Sequence, residues 1–161
     1  MTPQPVFDAP QDVLDAFSAL ADPELPFMTI EDMGMLRGVR VIGEAHIEIS
    51  ILPTYGGCPG FWEIEKNIVE KARSLGFGEV TVKRVQDEIW DADQITENGR
   101  NKLLDRSIPL ETPGVDTPCP HCGSKDMASG SRFGLTLCQS YQVCGSCGEM
   151  FSIVKSRGCR R

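Results

Sequence analysis

Apolar and polar residues alternate strictly along residues 45–52. This period of two predicts a β-strand with one buried face and one face exposed to water. A similar run precedes it at residues 35–42, and Gly43 and Glu44 between the two runs predict a tight turn. We therefore expect an antiparallel hairpin. Its second strand places Ile47, Ile49 and Ile51 on the buried face and His46, Glu48 and Ser50 on the exposed face.

Residues 61–75 follow a different period, with apolar residues recurring every three or four positions. This spacing places them on one side of an α-helix, which would pack against a sheet. Two glycines end the helix, and a valine-rich run at residues 80–85 predicts a third strand. Because a crossover helix normally joins parallel strands, the third strand should lie parallel to one strand of the hairpin. The apolar stripe of the helix is Phe61, Ile64, Ile68, Ala72 and Leu75.

An amphipathic helix is also predicted before the hairpin, with Asp8 as its cap and Gln11 three residues later. Residues 1–7 are Pro-rich and are predicted to be loose. The resulting order α-β-β-α-β is typical of a small α+β sandwich, with helices over one face of a sheet. A short polar helix at residues 96–106, capped by Thr96, would follow. The first helix would bury Val13, Leu14, Phe17 and Leu20.

The chain has 161 residues, enough for one compact domain and a small module. We predict an α+β domain at residues 8–106, a linker at residues 107–118 and a cysteine-rich module at residues 119–155. The linker is indicated by its three prolines and one glycine.

The formal net charge of -7 argues against nucleic-acid binding, which favours a basic surface. The sequence contains no apolar run long enough for a membrane helix and no secretory signal, so we expect a soluble cytoplasmic protein. In that compartment seven cysteines indicate metal or redox chemistry rather than a disulfide scaffold.

Two Cys-x-x-Cys pairs, each followed by glycine, lie in the last third of the chain. Four thiolates satisfy tetrahedral zinc, and the ion would stabilise a module too small to fold by burial alone. The pattern predicts a zinc ribbon whose closed site is structural rather than catalytic. Iron in a rubredoxin-like site remains an alternative, and His121 is a less favoured substitute ligand. The predicted ligands are Cys119, Cys122, Cys144 and Cys147.

Cys58 stands in a glycine-rich turn between a predicted strand and a predicted helix. Pro59 suits the first position of that helix. Free N–H groups and the positive end of the helix dipole would then favour the thiolate, so we expect a lowered pKa and a nucleophile or soft-metal ligand. The alternative is a small buried residue that fills a tight turn.

Three further features stay open at this level. Cys138 could be a substitute zinc ligand, a small buried residue or a partner of Cys58 in transient chemistry. Cys159, in a basic tail, is expected to be an unstructured thiol. Asp91 and Asp93 could form a metal or acid–base pair, but loop and capping roles are favoured because no histidine accompanies them.

Several motifs together resemble the PaaD family (also called PaaJ), the D proteins of the bacterial phenylacetyl-CoA epoxidase system. The N-terminal part also resembles the small iron–sulfur assembly domain of SufT-like maturation proteins, whose reactive cysteine matches Cys58. The resemblance covers nearly the whole chain, in the same order. The motifs are Asp-Pro-Glu-Leu-Pro from residue 22, Thr-Ile-Glu-Asp-Met-Gly-Met-Leu-Arg from 29, Pro-Thr-Tyr-Gly-Gly-Cys-Pro from 53, Thr-Glu-Asn-Gly-Arg from 96, Phe-Gly-Leu-Thr-Leu-Cys from 133 and both cysteine pairs.

The resemblance implies an accessory factor that serves a di-iron monooxygenase complex acting on phenylacetyl-CoA. Such a factor would assist iron or iron–sulfur insertion, with Cys58 transiently holding the iron or cluster. Its expected partners are the oxygenase or reductase subunits, with neither nucleic acid nor membrane, and a homodimer is left open. The alternatives are a thiol enzyme that uses Cys58 as nucleophile, and a structural or electron-transfer subunit of the complex.

Overall fold

The computed structural model describes residues 5–156, so Cys159 and its expected role lie outside the described residues. Two sheets and three α-helices make up the described chain. In chain order the elements are β1 (Val6–Asp8), α1 (Gln11–Ser18), β2 (Leu36–Ile42), β3 (His46–Ile51), α2 (Gly60–Ser74), β4 (Glu79–Arg84), α3 (Glu97–Leu104), β5 (Met127–Ser131), β6 (Gln139–Cys144) and β7 (Met150–Val154).

The first sheet has the strand order β1-β2-β3-β4. The predicted hairpin is confirmed, since β2 and β3 pair antiparallel and Val41 lies opposite Ile47. The predicted parallel strand is also confirmed, because β4 pairs with β3 after the crossover helix α2. The expectation that residues 1–7 are loose is wrong for Val6 and Phe7, which pair parallel with β2 as part of β1. With this strand the molecule has an α+β first module.

The apolar faces of α2 and β3 meet in the core of the first module. Ile47, Ile49 and Ile51 are each 0% exposed, as their alternation predicts. The stripe of α2 is buried at Phe61, Ile64, Ile68 and Ala72. Leu75 departs from the prediction, because it follows the helix as its C-cap and is 40% exposed.

The opposite face of β3 is less wet than its polar sequence suggests. Glu48 is buried at 8% exposure. Its carboxylate is compensated by Lys83 Nζ at 2.6 Å and by Arg40 at 3.7 Å, both contributed by neighbouring strands. The burial therefore comes from cross-strand ion pairing rather than from apolar packing.

Helix α1 begins without the predicted side-chain cap. Pro10 is its N-cap residue and provides no capping hydrogen bond, while Gln11 is the first helical residue. Asp8 instead belongs to β1, where it lies opposite Arg40. The capping prediction is therefore wrong, because a strand takes up the residue that was expected to cap.

Thr96 caps α3 as predicted, accepting a hydrogen bond from the Gly99 backbone N–H at 3.1 Å. A Cβ added at Gly99 would lie 2.6 Å from the carbonyl oxygen of Asp32, so this glycine permits close packing rather than weakening the helix. Upstream, Asp91 caps a short 3₁₀ turn and accepts the Asp93 N–H at 3.1 Å. The favoured loop and capping roles of the two aspartates are thus confirmed.

Asp32 joins α3 to the loop before β2 through a buried carboxylate. It accepts hydrogen bonds from the Thr29 N–H at 2.9 Å, Asn98 Nδ2 at 2.7 Å and Lys102 Nζ at 2.5 Å. Burial alone would raise its pKa, but the hydrogen bonds, that of Lys102 foremost, outweigh burial and lower the pKa. The ionised carboxylate therefore stabilises the folded chain.

We expect Asp32→Asn to reduce the free energy of unfolding at pH 7 by about 1–3 kcal/mol. Because the folded pKa lies below the ordinary aspartate value of 3.8, this stabilisation is present above that pH and is lost as pH falls through the folded pKa. Urea unfolding of both proteins at pH 7 and near pH 3 measures the difference. The neighbouring exposed Glu31→Gln is the control. A difference that persists in full at low pH would contradict the prediction.

The ribbon is a three-stranded antiparallel sheet in the order β5-β6-β7. Its last strand also contacts the segment predicted as a linker. The Glu111 N–H donates to the Val154 carbonyl at 2.8 Å, and the Val154 N–H donates to the Pro109 carbonyl at 3.0 Å. Val154 is 0% exposed and belongs to the hydrophobic core of the first module. The two modules therefore share apolar packing.

Within residues 5–156, none of the helices has the length and apolar character needed to cross a membrane.

Candidate metal and thiol sites

The structure brings the four predicted zinc ligands together at one end of the ribbon. The sulfur atoms all lie within 4.8 Å of one another. Cys119 Sγ lies 3.7 Å from Cys147 Sγ, and Cys122 Sγ lies 3.6 Å from Cys144 Sγ. A zinc–sulfur distance of about 2.3 Å gives a tetrahedron with edges of about 3.8 Å. The donor set and its spacing therefore fit a zinc ion.

Each cysteine pair closes a tight turn whose backbone faces the sulfurs. Gly123 and Gly148, which follow the second cysteine of each pair, have φ of 74° and 76°. Backbone N–H groups of Cys147 and Ser146 lower the pKa of Cys144 to about 7. The glycines thus permit the left-handed turn that directs N–H groups at a thiolate.

Two alternative ligands are left out of this cluster. His121 is exposed and is not among the clustered side chains of the described chain. Cys138 is 5% exposed and lies at the far end of β6 from Cys144. The substitute-ligand interpretation of either residue is therefore not supported by the geometry.

Cys58 lies where the sequence predicts, immediately before α2. Pro59 is the N-cap residue of the helix, and the Phe61 N–H donates to the Cys58 carbonyl at 3.1 Å. The backbone N–H groups of Gly60 and Phe61 and the Thr54 side chain hydrogen-bond the thiol. The side chain is nevertheless buried, at 5% exposure.

The expectation of a lowered pKa at Cys58 is wrong. Burial, followed by the negative charge of Glu24, raises the pKa of the thiol above its usual value of 9.0. The helix N–H groups do favour the thiolate, but these two opposing effects are larger. The metal-free thiol is therefore protonated at neutral pH.

Glu24 connects Cys58 with the ribbon. Its half-buried carboxylate accepts hydrogen bonds from both Cys58 and Cys138. The Cys138 Sγ lies 3.9 Å from Glu24 Oε2, although the two residues are 114 positions apart in the chain. Burial, then the adjacent Asp22, raises the pKa of Glu24. Two thiols and a carboxylate from both modules thus converge.

Two family models match the chain. The model described as iron–sulfur cluster assembly protein matches residues 10–83, and the model described as PaaD zinc beta ribbon domain matches residues 106–155. A protein of Escherichia coli (strain K12) is 34% identical over 147 residues, which cover 86% of this chain and 87% of that protein. Its name, a provisional one, makes it the D component of 1,2-phenylacetyl-CoA epoxidase. The chain belongs to the PaaD family.

Two further likenesses concern a shorter stretch of this PaaD-family chain. An uncharacterized protein of Methanocaldococcus jannaschii is 30% identical over 94 residues, covering 58% of this chain and 92% of that protein. The crystal structure of a domain of unknown function, DUF59, from Bacillus anthracis has a TM-score of 0.48 and 20% identity, covering 57% of this chain and 88% of that chain.

In this PaaD-family protein, sequence reasoning missed the carboxylates around Cys58. Asp22 and Glu24 stand in a short Pro-rich motif, and Asp22 is 5% exposed. Its Oδ1 accepts the backbone N–H groups of Glu24 and Leu25 at 2.8 and 2.9 Å, which fixes the motif as a turn. The motif carried a signal, an acidic pair between prolines, but only folding places it beside the thiol.

Proposed function

We propose that this chain is an accessory maturation factor of a multicomponent phenylacetyl-CoA epoxidase, a di-iron monooxygenase system, in the cytoplasm. Cys58 would transiently bind iron or an iron–sulfur cluster for delivery to an oxygenase or reductase subunit. The four-cysteine cluster would hold a structural zinc ion and keep the ribbon folded. Family membership and the name of the Escherichia coli relative support this assignment.

The observation that carries the proposal is the chemistry beside Cys58. Its thiol meets backbone N–H groups at a helix start and the carboxylate of Glu24, which is itself half-buried. Thiolate and carboxylate oxygen are both ligands of iron. Partial exposure of Glu24 provides an opening through which a metal can pass, whereas a purely structural cysteine would be enclosed by apolar groups.

A thiol enzyme is less well supported by the same surroundings. A nucleophilic cysteine needs either a lowered pKa or an adjacent base. The pKa of Cys58 is raised, and no histidine or lysine is among the described groups that shift it. His46 instead hydrogen-bonds Thr81 at 2.9 Å, at the opposite end of β3 from the Cys58 turn.

The test is Cys58→Ser in cells that produce the whole epoxidase system. We expect iron and cluster content of the client subunits, and turnover of phenylacetyl-CoA, to fall by about an order of magnitude. Circular dichroism and zinc content of the variant should remain unchanged, because the ribbon is not altered. Cys159→Ser is the matched thiol control. Normal client occupancy with a folded Cys58→Ser protein would overturn the proposal.

A further inference from the structure

The ribbon inserts a buried thiol into the first module. Cys138 begins the turn into β6 and is 5% exposed, although Leu135 and Leu137 just before it are 94% and 41% exposed. Its carbonyl accepts the Lys155 N–H at 2.9 Å, and Lys155 Nζ donates to the Leu137 carbonyl at 2.9 Å. The position of the thiol is therefore fixed by the chain that leaves β7, not by its own loop alone.

The surroundings of Cys138 are polar. Thr136 Oγ1 lies 3.1 Å from its sulfur, and Glu24 Oε2 lies 3.9 Å away. A cysteine that merely fills the core as a small apolar group would be surrounded by apolar side chains. Placement beside a carboxylate and a second thiol is instead typical of a ligand set.

The same carboxylate approaches Cys58 from the other side. A Cβ built at Gly60 would lie 3.2 Å from Glu24 Cγ and 3.5 Å from Cys58 Sγ. The start of α2 therefore packs directly on these two side chains, and Gly60 leaves no side chain between them. Glu24 in turn hydrogen-bonds both thiols. One carboxylate thus links a cysteine of each module.

We propose, resting on the proposed function, that Cys138 of the ribbon completes the iron site, so that Cys58, Glu24 and Cys138 together bind one ferrous ion. Binding releases the two thiol protons and leaves the metal with three protein ligands. Within residues 5–156, the four zinc-site cysteines are the set whose donors all lie within 4.8 Å of one another. The second set is more open, so its donors move closer around the ion. Three ligands leave a coordination position for the client to occupy.

The test uses the full-length, zinc-loaded protein, reduced and anaerobic, titrated with ferrous ammonium sulfate. Wild-type protein should bind one ferrous ion per chain while retaining its zinc. Iron-edge X-ray absorption should detect two sulfur ligands, falling to one in Cys138→Ser. The ferrous affinity should fall at least about tenfold in Cys138→Ser, Cys138→Ala and Glu24→Gln. Cys159→Ser, which removes a thiol outside the described residues, should bind like wild type.

Two results would overturn the shared site. Full ferrous affinity and two sulfur ligands in a folded Cys138→Ser protein would exclude Cys138, even if Cys58→Ser abolished binding and the proposed function stood. Absence of ferrous binding by the wild-type protein would also exclude the site. The client-occupancy test of Cys58→Ser then decides the proposed function separately, since it does not depend on how the isolated protein holds iron.

Discussion

Cys119→Ser is expected to abolish stoichiometric zinc binding and to unfold the ribbon. The buried core of this module consists of Cys119, Cys144, Phe151 and Ile153, so few apolar side chains remain once the metal is lost. Structural zinc contributes an apparent 10–16 kcal/mol or so in zinc-finger peptides at pH 7, far more than such a core can replace. Metal analysis and amide hydrogen exchange of β5, β6 and β7 measure the loss.

Ser146→Ala is the matched control for the zinc prediction. Ser146 lies in the same knuckle and hydrogen-bonds Ser124 across the site at 2.7 Å, but it supplies no sulfur. This variant should keep its zinc and its exchange protection. Full zinc content and native protection in Cys119→Ser would contradict the prediction. A red, redox-active wild-type protein would instead identify a rubredoxin-like iron site.

Gly34→Ala is expected to cost about 3–5 kcal/mol of unfolding free energy. Gly34 has φ of 65°, a left-handed conformation that alanine adopts only with strain, and an added Cβ would lie 2.2 Å from the backbone oxygen of Gln94. Backbone cannot rotate away as a side chain can. The clash would displace the loop that contains Trp90, whose indole N–H donates to the Met33 carbonyl at 2.7 Å.

Gly43→Ala separates the two causes of that loss. Gly43 has nearly the same conformation, with φ of 69°, but nothing lies within 4 Å of an added Cβ. Only the conformational strain of about 1–2 kcal/mol should appear there. Urea unfolding of both variants and the wild type gives the comparison. Equal losses at the two glycines would show that the contact with Gln94 is not limiting.

Local patterns in the sequence predict the elements whose side chains are periodic. The alternation in β3, the helical stripe of α2 and the two cysteine pairs each carry their own signal within a few residues. β1 carries none, because its three residues are all exposed and its pairing with β2 uses backbone groups alone. Leu75 leaves the stripe of α2 because helix ends are less regular than helix centres.

The surroundings of Cys58 could not be predicted from its neighbours in sequence. A helix start favours the thiolate, and that much of the prediction is physically sound. The sign of the pKa shift is decided by burial and by Glu24, which lies on the far side of the β2–β3 hairpin in sequence. Cys138 arrives from the other module. Only the folded chain brings these groups together, so local sequence predicts the position of the thiol but not its acidity.

Val154 has a consequence for how such chains can evolve. The last strand of the ribbon places this side chain, 0% exposed, in the core of the first module. The backbone of the neighbouring segment reaches it as well, with Leu110 bridged in parallel to it. Recombination that grafts a ribbon from one relative onto the first module of another would therefore leave a misfitted seam. The two halves must vary in concert, as the parts of one body rather than as interchangeable units.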